Sequence, residues 1–524
     1  MTKFNKSRVK AAVFSPIVTD RLPAGHTHEG APGYARDAKG ELFLLAVSNM
    51  AGEDTFYEAG TVRDDRYARL IHQVAVADPQ WTADFLGWLR TGANMRSASL
   101  AGALEASKAM LAANLTGSRA LVASVLQRAD EPGEALAYWT SRYGRAIPKP
   151  VKRGVADAVG RLYTEYGLLK YDTAAKGFRF ADVIDLVHPV PVAPWQGDLF
   201  KVALERRHQR DVLSIDALPM LAANGALRTA VAQDPAVLLD ADRLRAAGMT
   251  WEDVLSLAGS VVDKRLLWQA LIPSMGYMAL LRNLRNFDEA AVPDDVAAAV
   301  AARLSDPDNV ARSRQFPFRF LAAYEQAPSL RWGHALDRAL QASLANLPAL
   351  PGRTLILVDT SASMTQRAMS ARSKMTPAKA AAVFGVALAA KGENVDLHGF
   401  ADGVFRHEVA KGASVLKETA RFTSRTGEVG HGTQIAGSVR ATFKRHDRVV
   451  IISDMQTMDA HHGNGVSEAV PADVPIYGFN LGGYRHGAYA TGSANRHEFG
   501  GLTDATFRMI PLLEAGKNAN WPWL

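Results

Sequence analysis

Residues 355–364 read LILVDTSASM, a stretch in which a run of apolar residues leads directly into polar ones. The four apolar residues are typical of a buried strand, and Asp359, Ser361 and Ser363 follow at alternate positions. In parallel sheets, ligands bind at the carboxyl ends of the strands. The stretch therefore predicts a site at a sheet edge, and its three small oxygen ligands leave open whether the target is a phosphate, a metal or nothing.

Strands and helices alternate on the carboxyl side of the proline-containing LANLPALPGR at residues 344–353. Such alternation is typical of a doubly wound parallel sheet. We predict a Rossmann-like α/β domain over residues 351–524. Its predicted strands are TLILVD (354–359), NVDLHGFAD (394–402), RVVIISD (448–454) and PIYGFNLGG (475–483), and its predicted helices are TPAKAAAVFGVALAA (376–390) and QIAGSVRATF (434–443).

The preceding part of the chain, residues 1–350, is dominated by a different pattern. Apolar residues recur there at spacings of three and four, which is typical of amphipathic helices, and long β-branched alternation is missing. A series of roughly a dozen such helices predicts an irregular α-solenoid in which each helix pair packs on its neighbours. We expect the fold to be an all-helical region followed by an α/β domain.

Composition excludes some classes of protein and permits others. The 524 residues carry 60 Lys and Arg against 53 Asp and Glu, and this net charge of +7 permits nucleic-acid binding without requiring it. Cysteine is missing, which excludes disulfides, thiolate zinc sites and a cysteine nucleophile. No apolar run is long enough to span a membrane, so we expect a cytoplasmic protein. The adjacent His461 and His462 are interpreted as a surface pair.

Two further oxygen ligands follow the DTSAS stretch in the chain. Thr433 lies in GHGT just before a predicted helix, and Asp454 ends the strand RVVIIS. Five hard oxygens with two carboxylates suit Mg²⁺ or a similar cation. The alternatives are that Ser361 and Ser363 only cap the next helix, or that Asp359 is the nucleophile of an aspartyl-phosphate phosphatase. The second alternative requires an acid at position 361, where the chain has serine.

The full set resembles the metal-ion-dependent adhesion site of the von Willebrand factor A domain, with its D-x-S-x-S stretch, a Thr in a second loop and an Asp after a later strand. The resemblance implies a metal-binding role without catalysis. Hydroxyls of Ser361, Ser363 and Thr433 would bind the metal, and Asp359 and Asp454 would bind it directly or through water.

Basic residues recur along the helical region in SRYGRAIPKPVKR (141–153), KVALERRHQR (201–210) and RLSDPDNVARSRQFPFR (303–319). Such groups contact phosphates with salt-dependent affinity, and the neighbouring Tyr143 and Phe316 are candidates for stacking on unpaired bases. A solvated basic face without a ligand is the alternative. The candidate RNA-binding residues in these stretches are Arg142, Arg145, Lys149, Lys152, Arg153, Arg206, Arg207, Arg312 and Arg314.

Several stretches of the helical region resemble the TROVE module of the Ro autoantigen family. They are GEDTFYE (52–58), RTGANMRSA (90–98), FADVIDLVHPV (180–190), MGYMALLRNLRNF (275–287) and ARSRQFPFRFLAAY (311–324). A TROVE module followed by a von Willebrand A domain is the Ro architecture. The resemblance implies a ring of HEAT-like repeats over residues 1–350, closed by an A domain over residues 351–524.

The same resemblance implies a noncatalytic, monomeric RNA-binding protein of RNA quality control. A central hole would accept single-stranded 3′ ends of misfolded or defective RNAs, and a basic outer surface would bind small noncoding Y-like RNAs. His188 matches a histidine of that surface, and Lys170 and Lys176 lie just upstream. Arg282 and Arg285 would face the hole. An exoribonuclease such as polynucleotide phosphorylase is the implied protein partner.

The alternative function is a protein-binding scaffold, in which the metal of the A domain captures an acidic residue of a partner and RNA affinity is incidental.

Overall fold

The computed structural model describes residues 13–48, 50–210, 215–371, 373–458, 465–492 and 495–524. A helical region precedes an α/β region built on a six-stranded sheet, as predicted. The helices of the first region are α1 (Ala38–Ser48), α2 (Gly60–Ala77), α3 (Pro79–Thr91), α4 (Arg96–Ala112), α5 (Ser118–Val125), α6 (Glu131–Tyr143), α7 (Lys149–Leu162), α8 (Glu165–Tyr171), α9 (Phe180–Val187), α10 (Pro194–His208), α11 (Pro219–Gln233), α12 (Ala241–Ala246), α13 (Trp251–Ala258), α14 (Lys264–Leu271), α15 (Tyr277–Glu289), α16 (Asp294–Ser305), α17 (Pro307–Ser313), α18 (Phe318–Gln326) and α19 (Leu330–Ser343).

The remaining elements are strands and the helices between them. Short 3₁₀ segments occur at Pro235–Leu239, Ile272–Ser274 and Asp504–Arg508. The strands are β1 (Gly25–His26), β2 (Pro32–Ala35), β3 (Arg353–Asp359), β4 (Asn394–Phe400), β5 (Val404–His407), β6 (Arg448–Ser453), β7 (Ile476–Asn480), β8 (His486–Gly487) and β9 (Arg496–Gly500), and the helices are α20 (Ala362–Thr365), α21 (Pro377–Lys391), α22 (Val415–Thr423), α23 (Ile435–Thr442) and α24 (Met509–Glu514).

Local sequence explains where the helices begin and which faces they bury. Helix α3, for example, begins with Pro79 in its first turn, and the Asp78 carboxylate accepts a hydrogen bond from the Trp81 backbone N–H at 3.0 Å. Its residues Phe85 and Leu89 are fully buried. Helices contact others that lie one to three places along the chain, such as α2 with α4, α5 with α7 and α16 with α19. This pattern of local packing is that of a helical solenoid.

The sheet has the order β5-β4-β3-β6-β7-β9, with all neighbours parallel except β4 and β5. Strand β3, which carries LILV, lies in the middle of the sheet, and its residues Leu355–Val358 are fully buried. The two predicted helices, α21 and α23, pack on the faces of the sheet. Its central strands are continuous apolar runs, as is usual for a parallel sheet covered on both faces. The four predicted strands and both predicted helices are present.

The amino-terminal part of the described chain departs from the helical pattern. Strands β1 and β2 form a hairpin, and β2 pairs with β8 of the α/β region through Tyr34 with Gly487 and Ala35 with His486. Helix α1 follows and contacts β9. Its residues 42–47 are all buried, because the helix is enclosed between the sheet and α2. Residues 13–48 therefore pack with the α/β region, although more than 300 residues of chain separate them from its first strand, β3.

The helical region contacts the α/β region at both of its ends. Near its start, Arg63 and Arg66 of α2 donate to the backbone carbonyls of Gly482 (3.3 Å) and Gly483 (3.1 Å). Near its end, Asp337 of α19 accepts a hydrogen bond from Ser414 Oγ at 2.8 Å, and α18 contacts α21. The chain consequently closes on itself, in agreement with the ring that the resemblance implied. Within the described residues, no helix is both long and apolar enough to cross a membrane.

The last described residues are fixed by aromatic packing on α1 and α3. Trp521 and Trp523 stack on each other with ring centroids 5.5 Å apart. The Trp523 ring lies 5.4–5.6 Å from those of Trp81, Phe85 and Trp88. These ring contacts anchor the last described residues to the helical region.

Replacing Trp523 with alanine is expected to lower the free energy of unfolding by about 2 kcal/mol. Loss of a fully buried tryptophan costs about 3–5 kcal/mol, and the side chain here is half-buried. Chemical denaturation followed by tryptophan fluorescence measures the change, and Trp195→Ala serves as the control because Trp195 is exposed. Equal losses for both variants would contradict a stabilising role of the docked terminus.

Candidate metal centre and basic surfaces

All five predicted metal ligands lie together at the carboxyl edge of the sheet and are buried. Asp359 ends β3, and its Oδ1 accepts a hydrogen bond from the Ser361 backbone N–H at 2.9 Å. Its Oδ2 accepts one from Ser453 Oγ at 2.5 Å. The hydroxyls of Ser361 and Ser363 are 3.2 Å apart. The loop after β3 therefore presents a carboxylate and two hydroxyls to one point.

The fourth ligand, Thr433, is positioned by a carboxylate beneath its loop. Asp402, just after β4, accepts hydrogen bonds from the backbone N–H groups of His431 (2.9 Å) and Gly432 (3.1 Å). The loop reaches this conformation through Gly430, whose φ of +89° lies in the left-handed region that favours glycine. On its other side, the Thr433 carbonyl accepts from Thr457 Oγ1 at 3.0 Å. This loop and the loop after β6 thus hold each other.

The fifth ligand, Asp454, has one oxygen that no hydrogen bond satisfies. Its Oδ1 accepts from the Gln456 backbone N–H at 3.1 Å, whereas its Oδ2 is buried without a partner. Burial raises the pKa of both Asp359 and Asp454, and the nearby charge of Asp359 raises the pKa of Asp454 further. Buried polar atoms are usually paired, and an unpaired one calls for an ion or a similar partner.

This arrangement fits a hard divalent cation. Two buried carboxylates, three hydroxyls and an unsatisfied carboxylate oxygen are the donor set that Mg²⁺ takes in proteins. Among the described residues, no group of three or more His, Asp and Glu side chains is arranged to hold a metal. A cation here would therefore depend on the hydroxyls of Ser361, Ser363 and Thr433. His461 and His462 lie outside the described residues.

The loop before α2 lies over the candidate metal centre. A cavity of about 30 Å³, enough for about one water molecule, lies directly outside it. Ser363 and Asp454 form its floor, while Asp54, Thr55 and Tyr484 belong to its wall. The GEDTFYE stretch therefore forms part of a roof over the candidate metal centre.

The basic residues around the start of α7 form an outer patch, which we define as Arg145, Lys149, Lys152 and Arg153. None of their side chains makes an ion pair with a described residue, and Arg145, Lys149 and Arg153 are exposed. The first turn of α7 contains no acid. Their positive charge is available to an anionic partner.

The other predicted RNA-binding residues on and around α6 and α8–α10 differ in whether an acidic side chain already pairs with them. Arg142 is held by Glu105 at 2.8 Å and Asp65 at 3.1 Å. Arg207 pairs with Asp182 at 3.0 Å. Four other positions are exposed and lack such a tight ion pair: Lys170, Lys176, His188 and Arg206. Lys170 lies over the rings of Tyr166 and Tyr171, and Lys176 is 3.8 Å from Glu134. His188 is the C-cap of α9, with a φ of +48°.

The two predicted stacking residues are occupied within the protein, which corrects that expectation. Phe316 is buried and stacks on Phe318 with ring centroids 5.2 Å apart. The Tyr143 hydroxyl donates to the buried Glu105, and its ring packs on Trp139. Both side chains were predicted from their basic neighbours in the sequence, which carry no information about the direction of a ring.

A second set of basic residues lines a cavity between the two regions, with a volume of about 360 Å³. Arg282 and Arg285 of α15 and Arg319 of α18 reach it from the helical region, and Lys374 reaches it from the α/β region. Burial, and then the charge of Arg282, lower the pKa of Arg319. Arg285 pairs with Glu289 at 2.7 Å, whereas Arg282 and Arg319 have no acidic partner among the described residues. We call these four residues the cavity cluster.

Sequence reasoning identified part of the cavity cluster. Arg282 and Arg285 were predicted from the LLRNLRNF stretch. Asn283 of the same stretch is buried and donates to the Ala279 carbonyl at 2.8 Å. Lys374 was missed because nothing in the sequence indicates that its loop approaches α15. Arg312 and Arg314 are both exposed, and Arg312 contacts Asn309 at 2.6 Å.

Comparison with known proteins agrees with this arrangement. Residues 243–332, which include α15 and α18, match the TROVE domain model. The crystal structure of the Deinococcus radiodurans RO (RSR) protein superposes with a TM-score of 0.60, covering 89% of this chain and 96% of that chain. The predicted resemblance to the Ro family is confirmed. The sequence identity in that superposition is 17%, so it shows a common fold.

Sequence similarity to curated relatives is confined to a short segment. Telomerase protein component 1 of Mus musculus is 40% identical over 83 residues, and the protein of the same name from Rattus norvegicus is 39% identical over 83 residues. Each match covers 16% of this chain but spans only 3% of the relative's length. What those large proteins do as a whole therefore does not transfer to this Ro-like chain.

Proposed function

We propose that this chain is an RNA-binding protein of the Ro type, a component of ribonucleoproteins and not an enzyme. The cavity cluster is the observation that carries the proposal. Arg282 and Arg319 lie close enough for one charge to lower the other's pKa, and neither has an acidic partner. A phosphate between them relieves this repulsion and gains charge-assisted hydrogen bonds. Apolar side chains of Met278 and Leu281 provide a wall for a base.

The shape of the cavity supports a single-stranded ligand. Its volume of about 360 Å³ is that of a small-ligand site, too small for a duplex. The outer patch on α7 supports a second contact, with the phosphates of a structured RNA. We therefore propose that single-stranded 3′ ends of misfolded RNA enter the cavity, and that Y-like noncoding RNA binds the outer patch together with Lys170, Lys176 and His188.

We also propose that the five-ligand centre binds Mg²⁺. Ser361, Ser363 and Thr433 would be its hydroxyl ligands, and the carboxylates of the two aspartates would balance its positive charge. A divalent cation there neutralises Asp359 and Asp454, and so fixes three loops of the sheet edge together. The covered position of the centre gives little support to the alternative of a scaffold that captures acidic partners. We further propose that the protein acts in the cytoplasm together with an exoribonuclease.

RNA binding is tested by fluorescence anisotropy with an RNA hairpin that carries a single-stranded 3′ tail. We expect binding that weakens steeply between 50 and 200 mM salt, because phosphate contacts release counterions. Lys149→Glu with Arg153→Glu should weaken it about tenfold or more and lower the salt slope by about two, one for each lost contact. Lack of detectable affinity at low salt would refute the proposal.

The matched control for that double reversal is Arg243→Glu with Arg245→Glu on α12. These arginines are also exposed, but each pairs with an acid three residues earlier, Asp240 and Asp242. The change in net charge is the same in both double variants. A similar loss in both would mean that the outer patch contributes only general charge.

A further inference from the structure

The tip of the β1–β2 hairpin lies beside the candidate metal centre. Thr27 Oγ1 donates to the Thr457 carbonyl at 2.8 Å, and the His28 backbone N–H donates to Gln456 Oε1 at 2.7 Å. Both acceptors belong to the loop that begins at Asp454. These contacts fix the next residue of the turn, Glu29, over the sheet edge.

Glu29 is connected to the metal ligands through Tyr57. The Tyr57 hydroxyl donates to Glu29 Oε1, and its ring contacts Tyr484, which lines the cavity over the centre together with Ser363 and Asp454. The tyrosine ring is held on two sides, by His28 stacked in parallel at 4.8 Å and by Tyr484 at 5.4 Å in an edge-to-face contact. Tyr57 therefore holds the acid of the hairpin on the side of the metal centre where this cavity lies.

Charge makes this arrangement costly unless a cation is present. The Glu29 carboxylate is near enough to raise the pKa of both Asp359 and Asp454. The hairpin thus adds the carboxylate of Glu29 to the edge of the sheet that carries Asp359 and Asp454, and Oδ2 of Asp454, a residue only 3% exposed, has no hydrogen-bond partner. A bound cation would remove the repulsion between these carboxylates and would pair with the free oxygen of Asp454.

We propose that Glu29, held in place by Tyr57, supplies the last acidic group of the metal centre. In an adhesion site, a carboxylate of a partner protein takes that position, whereas here the acid belongs to the same chain. Glu29 would act as an outer ligand, accepting a hydrogen bond from a water on the metal. Side chains of the chain itself, among them Asp54, Thr55 and Tyr484, line the small cavity over the centre, where a partner's carboxylate would have to enter. The inference rests on the proposed metal centre, whose ion would then join the hairpin, the 50–59 loop and the sheet.

Titration with Mn²⁺ followed by electron paramagnetic resonance tests the inference on the full chain. We expect Glu29→Gln to weaken Mn²⁺ binding about tenfold or more, as the loss of an outer ligand does, and Tyr57→Phe to weaken it in the same direction. Acetate should not compete with the wild-type site. The comparison variant is Glu53→Gln, which removes a charge from the same cavity wall but accepts its hydrogen bond from the Ala371 backbone.

Each outcome bears on the inference, and Asp359→Asn separates it from the metal centre itself. If Asp359→Asn abolishes binding while Glu29→Gln stays within twofold of wild type, Glu29 has no such role but the centre stands. Equal weakening by Glu29→Gln and Glu53→Gln would reduce the effect to general charge and overturn the inference. If the wild-type chain binds no Mn²⁺, the metal centre fails and the inference fails with it.

Discussion

Replacing Arg36 with methionine is expected to lower the free energy of unfolding by about 3–5 kcal/mol. Arg36 and Glu498 form a bidentate ion pair in which Nε and Nη2 donate to the two carboxylate oxygens at 2.7 and 2.6 Å. Their side chains are 0% and 1% exposed. Arg36 Nη1 also donates to the carbonyls of Tyr484 and Arg485. The variant would leave the Glu498 charge buried with Asn480 as its remaining donor.

Urea denaturation measures this loss, and the pair Arg119–Asp157 provides a matched control. It has the same bidentate geometry, at 2.7 and 2.8 Å, but its side chains are 57% and 39% exposed. Arg119→Met should therefore cost far less stability, because water screens an exposed ion pair. Removing the second charge, in Arg36→Met with Glu498→Gln, should restore much of the stability. Equal losses in Arg36→Met and Arg119→Met would contradict the prediction.

Reversing two charges of the cavity cluster, Arg282→Glu with Arg319→Glu, is expected to weaken binding of a single-stranded 3′ tail at least about 100-fold. A hydrogen bond to a charged group is worth about 1.5–3 kcal/mol, and 1.4 kcal/mol is a factor of ten in affinity. Neither arginine supports the fold through an ion pair, so the variant should unfold like wild type. Anisotropy with RNA hairpins that carry or lack the tail measures the effect.

The outer-patch reversal, Lys149→Glu with Arg153→Glu, is the natural cross-control. It should weaken binding of the hairpin with or without its tail, whereas the cavity reversal should affect only the RNA with the tail. We expect this difference because the outer patch would bind the structured part of the RNA and the cavity cluster its single-stranded tail. If both double variants weaken both RNAs to the same extent, the cavity is not a site for single strands.

Much of the α/β region could be predicted because its signals are local. LILVD is a continuous apolar run that ends in polar residues, and such a run forms a central parallel strand wherever helices cover both faces. Four of the five predicted metal ligands lie at the ends of two of these predicted strands, and the fifth, Thr433, lies in the loop before a predicted helix. The topology of a doubly wound sheet then brings them to one edge.

Other features escaped prediction because they depend on contacts between distant parts of the chain. Strand β9, RHEFG, is charged, and it is buried only because Glu498 meets Arg36 and Arg496 donates to carbonyls such as that of Val474. Lys374 joins the cavity cluster from a loop without regular structure. Glu29 lies in a turn whose position is fixed by Gln456 and Thr457. Each case pairs residues that sequence patterns treat as unrelated.

The pairing of β2 with β8 has a consequence for how the protein folds during its synthesis. Ala35 leaves the ribosome long before its partner His486, and at roughly 5–20 residues per second this interval is on the order of half a minute or more. Helix α1, whose apolar residues 42–47 are later enclosed on every side, has no sheet to pack on during this time. Its exposed surface is a ready target for chaperones. Closure of the ring is therefore a late event, completed after synthesis of the sheet that seals it.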